Sequence, residues 1–309
     1  MRQAVRAGLV GSVLALGVAT GAVAAGPQAA VRRTPAPGTA APLRVAHQAR
    51  AIAPGEVVLL TVTSPGGLSE VRGRAFGQAF VGYPGTAPDT WLALAGIALE
   101  TKPGPAFVTI EARKVDGTPV VSRYRLTVAP KTFPTRRLSV APGFVTPPAA
   151  ELPRIERERA EVSRIFSAVS SRPLWGTGFD RPVGGAVISA FGARSIFNRQ
   201  ARAPHRGIDF RGAAGTPVAA PADGVVVLAK DLYFSGTTVI LDHGLGVFSM
   251  LCHLSRLDVR LHDTVNRGAP IGAIGATGRV TGPHLHWTVR VGPVSVDPLS
   301  LLAIAGVPR

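Results

Sequence analysis

Hydrophobic positions along the chain form short runs and alternating patterns that are typical of β-strands. The apolar run at residues 55–63, GEVVLLTVT, has Pro-Gly turn signals at both ends and predicts a buried strand. Asp116-Gly117 separates two further strand-like segments and predicts a hairpin. Together with WLALAGIAL at 91–99, these segments predict a small β-sandwich over residues 43–130.

The spacing of apolar residues along the chain changes after the predicted sandwich. Between residues 152 and 169 apolar residues recur at helical spacing and the opposite face is charged, which predicts a helix within a linker at 131–171. From Arg172 onward the chain returns to short strands separated by turns, which predicts antiparallel sheets over residues 172–309. We therefore expect a mostly β protein with an N-terminal β-sandwich-like module, a linking helix and a second antiparallel β domain.

The N-terminus has the features of an export signal. Positive residues precede an apolar run, and Ala22-Val23-Ala24 supplies a small-residue cleavage site, which predicts a signal peptide at 1–25. An uncleaved membrane anchor is the alternative, but the run is short and rich in Gly and Ala. Residues 26–42 are Pro-rich and predict a disordered tether. We expect an exported protein, in the periplasm or elsewhere in the cell envelope or outside it, with no stable transmembrane segment after cleavage.

Composition narrows the possible chemistry. Among 309 residues Cys252 is the only cysteine, which excludes an internal disulfide and zinc held by several cysteines. Any metal must therefore be held by His, Asp or Glu. The formal net charge of +16 usually suggests nucleic acid, which an exported protein rarely meets. Anionic cell-envelope polymers are the alternative partners, and an arginine-rich composition without functional meaning is equally open.

Six of the seven histidines lie in the second half of the chain. In PHRGIDF, His205 and Asp209 are four residues apart, and Gly207 between them argues against a helix. In an extended segment the two side chains share a face and are plausible zinc ligands, with Gly207 allowing a close approach.

A second cluster, TGPHLHW, places His284 and His286 two residues apart, so that in a strand both rings point to one face. One of the two would complete a His₂Asp site with an open position for water, the arrangement of catalytic zinc. The other, together with His253, could serve as the base and the oxyanion donor of amide hydrolysis.

Three motifs in order, HRGIDF, LDHGLGVFSMLCHLS and GATGRVTGPHLHW, resemble the lysostaphin-like, LytM-type zinc endopeptidases that cut peptidoglycan cross-bridges. The resemblance covers about residues 183–302 and implies a C-terminal antiparallel β catalytic domain of the lysostaphin/LytM type. It implies one zinc ion (Zn2+) held by His205, Asp209 and His286. It also implies that His253 and His284 are the catalytic pair, which orients and deprotonates the water and steadies the tetrahedral oxyanion.

The expected function is that of an exported zinc metalloendopeptidase acting on peptidoglycan stem peptides and cross-bridges. The rival is a catalytically silent LytM-like binding protein that activates other cell-wall hydrolases, which the complete ligand set disfavours. A structural envelope protein with incidental zinc would leave the catalytic pair unexplained. The N-terminal module could cover the groove, target the wall or assist folding; if it covers the groove, removing residues 26–150 should raise activity.

The sequence also leads to expectations for three other side chains. Leu251 stands where many relatives have an aromatic residue, and we expect it to shape the groove or pack beside it. His243 is expected to be a structural hydrogen-bonding residue near a turn rather than a ligand. Cys252 lies between Leu251 and His253, so we expect it to be buried, to face away from His253 and not to act as a nucleophile.

Overall fold

The computed structural model describes residues 43–138, 147–176, 178–197, 200–201 and 203–304. The predicted signal peptide and tether lie outside these residues. Within the described ranges, no helix is both long enough and apolar enough to span a membrane.

The N-terminal module (residues 43–130) consists of two four-stranded antiparallel sheets, ordered β1-β2-β6-β5 and β4-β3-β7-β8. The turn at Asp116-Gly117 joins β7 to β8, and the Thr118 backbone N–H donates to Asp116 Oδ1 at 2.9 Å. The predicted hairpin is therefore confirmed. Between the two sheets, buried aliphatic residues such as Val58, Leu60 and Ile110 form the core of this module. The strands are β1 Arg44–Gln48, β2 Val57–Thr63, β3 Leu68–Ala75, β4 Gln78–Val81, β5 Tyr83–Pro84, β6 Thr90–Gly96, β7 Gly104–Lys114 and β8 Pro119–Val128.

The linker contains a strand and the predicted helix. β9 (Thr135–Leu138) pairs in parallel with a strand of the C-terminal module. After a 3₁₀ turn at Ala149–Glu151, α1 (Leu152–Ser167) begins with proline in its first turn, where the missing N–H costs no helical hydrogen bond. The apolar face of α1 packs on a small buried cluster around Phe248.

The C-terminal module (residues 172–304) is built on a ten-stranded antiparallel sheet with the central order β13-β20-β17-β16-β15. A smaller sheet, ordered β12-β11-β9, adjoins it and includes the linker strand. The mostly β fold predicted from the sequence is confirmed. Its elements are β10 Val187–Ser189, β11 Arg194–Phe197, β12 Gln200–Ala201, β13 Ile208–Arg211, β14 Pro217–Ala219, β15 Gly224–Leu232, β16 Gly236–Asp242, β17 Val247–Leu257, β18 Thr264–Val265, β19 Pro270–Ile274, β20 His284–Val291, β21 Val294–Val296 and α2 Pro298–Leu302.

Besides the core inside the N-terminal sandwich, a second hydrophobic cluster, called the shared core below, joins the two modules. On β2, Val58 and Leu60 face the sandwich interior, whereas Val57 and Leu59 belong to the main cluster of the C-terminal module. The continuous apolar run of this strand thus has a partner on each face. Ser300 Oγ in α2 accepts a hydrogen bond from the Val57 backbone N–H at 2.8 Å. Removing the N-terminal module would expose this part of the core.

A buried ion network ties the same junction together. The side chain of Glu56 is 3% exposed and accepts hydrogen bonds from Arg50, at 2.7 and 3.0 Å, and from Lys131 at 2.6 Å. Arg50 also contacts Asp297, the N-cap of α2, at 2.6 Å. The network therefore connects the N-terminal module, the linker and the C-terminal module.

Candidate metal centre and active site

Three adjacent strands carry four of the five predicted site residues, and His205 lies three residues before β13. In the register of β13 and β20, Asp209 lies directly opposite His286, and in the register of β17 and β20, Cys252 lies opposite His286. His284 and His286 project from one face of β20, as the spacing of two predicts. A Cβ atom at Gly207 would lie 2.7 Å from the His286 ring and 2.5 Å from the Trp287 carbonyl oxygen, so only glycine fits there.

Three side-chain atoms converge at one point. His205 Nε2 lies 3.1 Å from Asp209 Oδ1 and 3.0 Å from His286 Nδ1, and these last two atoms are 2.8 Å apart. The three side chains are each 17–19% exposed, so the cluster is partly open to solvent. These three residues are among the candidate ligands predicted from the sequence. Within the described residues, they form a group that could hold a metal ion.

Outer hydrogen bonds orient both imidazoles of this group. His205 Nδ1 donates to the Ala190 carbonyl oxygen at 3.0 Å. In this tautomer Nε2 carries no hydrogen and keeps its lone pair. Thr288 Oγ1 is 2.8 Å from His286 Nε2 and is placed to accept its hydrogen, which leaves Nδ1 with its lone pair. Metal-binding histidines have such second partners. With Asp209 Oδ1, three acceptors then face one another, an arrangement that a cation stabilises.

The charge states of the cluster suit a metal. Burial alone would raise the pKa of Asp209, but its contacts with His205 and His286 outweigh burial and hold that pKa well below its usual range. Burial lowers the pKa of His286, so its ring is neutral near pH 7. Two imidazoles and one carboxylate form a donor set typical of zinc with an open coordination position. The residues present therefore fit the metal that the sequence predicts.

A second pair of histidines borders the cluster. The ring centroids of His253 and His284 are 4.9 Å apart, and His284 Nε2 is 3.8 Å from Asp209 Oδ1. His253 Nδ1 donates to the Thr277 carbonyl oxygen and His284 Nδ1 to the Gly282 carbonyl oxygen, both at 2.9 Å. Each ring therefore keeps its Nε2 as a free acceptor when neutral. Burial and the neighbouring His286 lower the pKa of His253 to about 4, so this ring is neutral near pH 7.

The backbone of His253 is in the left-handed region, with φ of 65°. Thr237 pairs with Leu254 and Val239 with Leu251, so β17 contains one residue more than β16 at this bulge. Such bulges re-aim side chains, and a left-handed non-glycine residue costs about 1–3 kcal/mol. The surrounding sheet thus holds His253 in a strained conformation beside the cluster.

The remaining expectations concern residues around the site. The register places Cys252 on the same face of the sheet as His286, so simple strand alternation does not apply at the bulge beside His253. Leu251 is fully buried in the main core, so it packs beneath the site and does not line its surface. Cys252 is buried as expected, and burial raises its thiol pKa to about 12, which suppresses the reactive thiolate. His243 is buried and structural: Nδ1 donates to the Asp223 carbonyl oxygen at 2.8 Å, and Nε2 accepts from Ser249 Oγ at 2.9 Å.

Several hydrogen-bond partners of the site histidines were not predicted from the sequence. Thr288 lies two residues after His286 on the same strand, so the alternation of β20 could have identified it as a partner. The carbonyl groups of Ala190, Thr277 and Gly282 carry no side-chain signal and are found only from the coordinates.

Comparison with known proteins agrees with this geometry. Residues 203–298 match Peptidase family M23. The crystal structure of a Pseudomonas aeruginosa protein assigned to peptidase M23 is 35% identical, with a TM-score of 0.63, covering 83% of this chain and 96% of that one.

Two curated relatives match over shorter stretches. Peptidoglycan DD-endopeptidase ShyA of Vibrio cholerae is 41% identical over 109 residues, which are 35% of this chain and 25% of ShyA. DD-carboxypeptidase/endopeptidase Mpg of Neisseria meningitidis is 40% identical over 97 residues, which are 31% of this chain and 22% of Mpg. The chain thus spans about a quarter of the length of the curated relatives it matches.

Proposed function

The chain belongs to peptidase family M23, and from this we propose that it is an exported zinc metalloendopeptidase that hydrolyses peptide cross-links of peptidoglycan. The observation that carries the proposal is the convergence of His205 Nε2, Asp209 Oδ1 and His286 Nδ1 within 3.1 Å of one another, beside two histidines with free Nε2 atoms. The names of ShyA and Mpg favour a D,D-cross-link among the possible bonds.

In this proposal His205, Asp209 and His286 hold one zinc ion. When bound, zinc would polarise the scissile carbonyl and lower the pKa of water. His253 and His284 manage the protons. Because their Nδ1 atoms are committed to backbone carbonyls, each Nε2 accepts a proton when the ring is neutral and donates one when it is charged.

These properties give a balanced hydrolysis. The water oxygen bonds to the carbonyl carbon while one Nε2 takes a water proton, and the neighbouring ring orients the water or steadies the developing oxyanion. The proton then passes to the leaving nitrogen as the C–N bond breaks, which restores the neutral ring. The carbonyl groups of Thr277 and Gly282 stabilise the transient imidazolium through the Nδ1–H bonds.

Export is part of the proposal and rests on the sequence features of residues 1–25. The protein would act in the periplasm or elsewhere in the cell envelope or outside it, where peptidoglycan lies. The rival function, a silent binding protein that activates other hydrolases, requires none of the five site residues.

The test is digestion of purified peptidoglycan by metal-stripped protein before and after zinc is restored, with mass spectrometry of the soluble and residual peptides. We expect zinc-dependent conversion of cross-linked dimers to monomers, and the new termini will identify the bond. Intact dimers after incubation with zinc-loaded protein would contradict the proposal. The rival would then be tested by adding the protein to an independent wall hydrolase.

A further inference from the structure

A turn at residues 190–193 holds the candidate ligand His205. The Gly192 backbone N–H donates to the His205 carbonyl oxygen at 2.8 Å, and the His205 backbone N–H donates to the Ala193 carbonyl oxygen at 2.9 Å. The Ala190 carbonyl oxygen closes the turn by accepting from the Ala193 backbone N–H at 3.3 Å, and it is also the acceptor of His205 Nδ1. The position of this turn therefore sets both the backbone and the ring orientation of His205.

The linker packs on this turn through Phe133, which lies two residues before β9. Gly192 is buried and has φ of 77°, the left-handed conformation for which the third position of a tight turn favours glycine. A Cβ atom at Gly192 would overlap the Phe133 ring, so the ring lies directly against the backbone of the turn. Beside this contact, the Arg194 backbone N–H donates to the Pro134 carbonyl oxygen at 2.8 Å, and the pairing of β9 with β11 continues from there.

The N-terminal module supports the same turn from another side. Phe191 is 4% exposed in the shared core, and a Cβ atom at Gly55 would lie 2.5 Å from its ring. The Lys131 Nζ atom lies 5.3 Å from the centroid of the Phe133 ring and 2.6 Å from Glu56 Oε1. The packing on the turn is thus continuous with the buried ion network at the junction of the modules.

We propose that Phe133 is a positioning residue that holds the turn at 190–193 and, through this turn, fixes His205 for zinc binding. The inference rests on the proposed function, because it concerns a ligand of the same zinc site. Without the ring, Gly192 loses its packing partner, and the Ala190 carbonyl oxygen can move away from His205 Nδ1. Loss of an outer partner of a metal-binding histidine weakens metal binding about 10–100-fold, and Phe133 acts one contact further out, so the low end applies.

The experiment compares wild type, Phe133→Ala, Phe133→Leu and the control Phe107→Ala, each first checked for its fold by circular dichroism. Zinc affinity is measured by chelator competition. The visible absorption of the cobalt-substituted proteins reports the geometry of the ligands, which a general loss of stability does not change. Phe107 is a matched control because it is 50% exposed and has the guanidinium carbon of Arg123 4.5 Å from its ring centroid, but lies on β7, in a sheet that does not include the linker strand.

We expect Phe133→Ala to bind zinc about tenfold more weakly and to have an altered cobalt absorption. Phe133→Leu keeps an apolar side chain against Gly192 and should recover most of the affinity. Phe107→Ala should match wild type in both measurements. Gly192→Ala disturbs the same contact from the other side, because its Cβ overlaps the Phe133 ring, and should weaken zinc binding to a similar extent. This variant decides the question if Phe133→Ala does not fold.

Wild-type zinc affinity and cobalt absorption in folded Phe133→Ala, or in Gly192→Ala where the former does not fold, would overturn the inference. An equal loss of zinc affinity in Phe107→Ala would also overturn it, because the effect would then not depend on the turn. In either case wild type still binds zinc and cleaves peptidoglycan, so the proposed function stands. A wild type that binds no zinc would instead remove the proposed function and the inference together.

Discussion

Replacing Glu56 with Gln should destabilise the junction of the two modules by about 3 kcal/mol. The carboxylate is 3% exposed and is shared by Arg50 and Lys131 at 2.6–3.0 Å. Glutamine keeps the shape and one acceptor oxygen but removes the negative charge that these two cations face. Breaking a fully buried ion pair costs about 3–5 kcal/mol. The low end applies here because Arg50 and Lys131 are 35% and 27% exposed and retain some hydration.

The assay is urea unfolding at pH 7, followed by far-UV circular dichroism and by tryptophan fluorescence. Trp175 is 1% exposed in the shared core and reports on this junction. The matched control is Glu111→Gln, whose carboxylate is 51% exposed and pairs with Arg72 at 3.0 Å. Surface pairs of this kind contribute about 0–1 kcal/mol, so the control should unfold almost as wild type does.

The stability at low pH provides a second test of the role of Glu56. Burial alone would raise its pKa, but the hydrogen bonds from Arg50 and Lys131 outweigh burial and lower it below the unfolded value of 4.5. Its stabilisation is therefore present above about pH 4.5 and is lost as the pH falls through the lowered pKa. The difference between wild type and Glu56→Gln should shrink in that range. Equal losses of stability in the Glu56 and Glu111 variants at pH 7 would refute the reasoning.

Three further predictions concern the site and the shared core. Thr288→Val removes the partner of His286 Nε2 and should weaken zinc binding about 10–100-fold in a chelator competition, without unfolding the protein; unchanged affinity would show that Thr288 does not orient the ligand. Burial lowers the pKa of His243 to about 4 from 6.5, so the unfolded chain binds more protons between these values. The free energy of unfolding should fall by up to about 3 kcal/mol as the pH drops through that window, and His243→Asn should flatten this dependence; an equal slope in both proteins would contradict it. Removal of residues 26–150 should give aggregated protein on size-exclusion chromatography rather than higher activity, because it exposes the core that Val57 helps to bury; a soluble, zinc-binding monomer would contradict this.

Much of the fold could be predicted from local patterns. The run at 55–63 predicted a buried strand, Asp116-Gly117 predicted a hairpin, and the helical spacing predicted α1. What covers each face of β2 could not be derived, although its continuous apolar sequence already indicated burial on both sides. β9 was not predicted either, because its four residues form a strand only by pairing with β11 of the C-terminal module.

The residues of the candidate site could also be predicted from the sequence, but not all of their conformations. Strand alternation placed His284 and His286 on one face, and the family resemblance alone implies that His286 is the ligand and His284 its catalytic neighbour. The conformation of His253 could not be predicted, because its left-handed φ arises from a bulge set by the pairing of β16 with β17. No sequence rule places an unpaired extra residue in a strand of ordinary composition.

Zinc content and peptidoglycan cleavage, measured on the same preparations of wild type, His286→Ala and His253→Ala, test the central claim most directly. We predict one zinc per chain in wild type and in His253→Ala, loss of zinc in His286→Ala, and cleavage by the wild type alone. Full zinc occupancy in His286→Ala, or cleavage at the wild-type rate by His253→Ala, would contradict the division of the histidines into ligands and proton carriers.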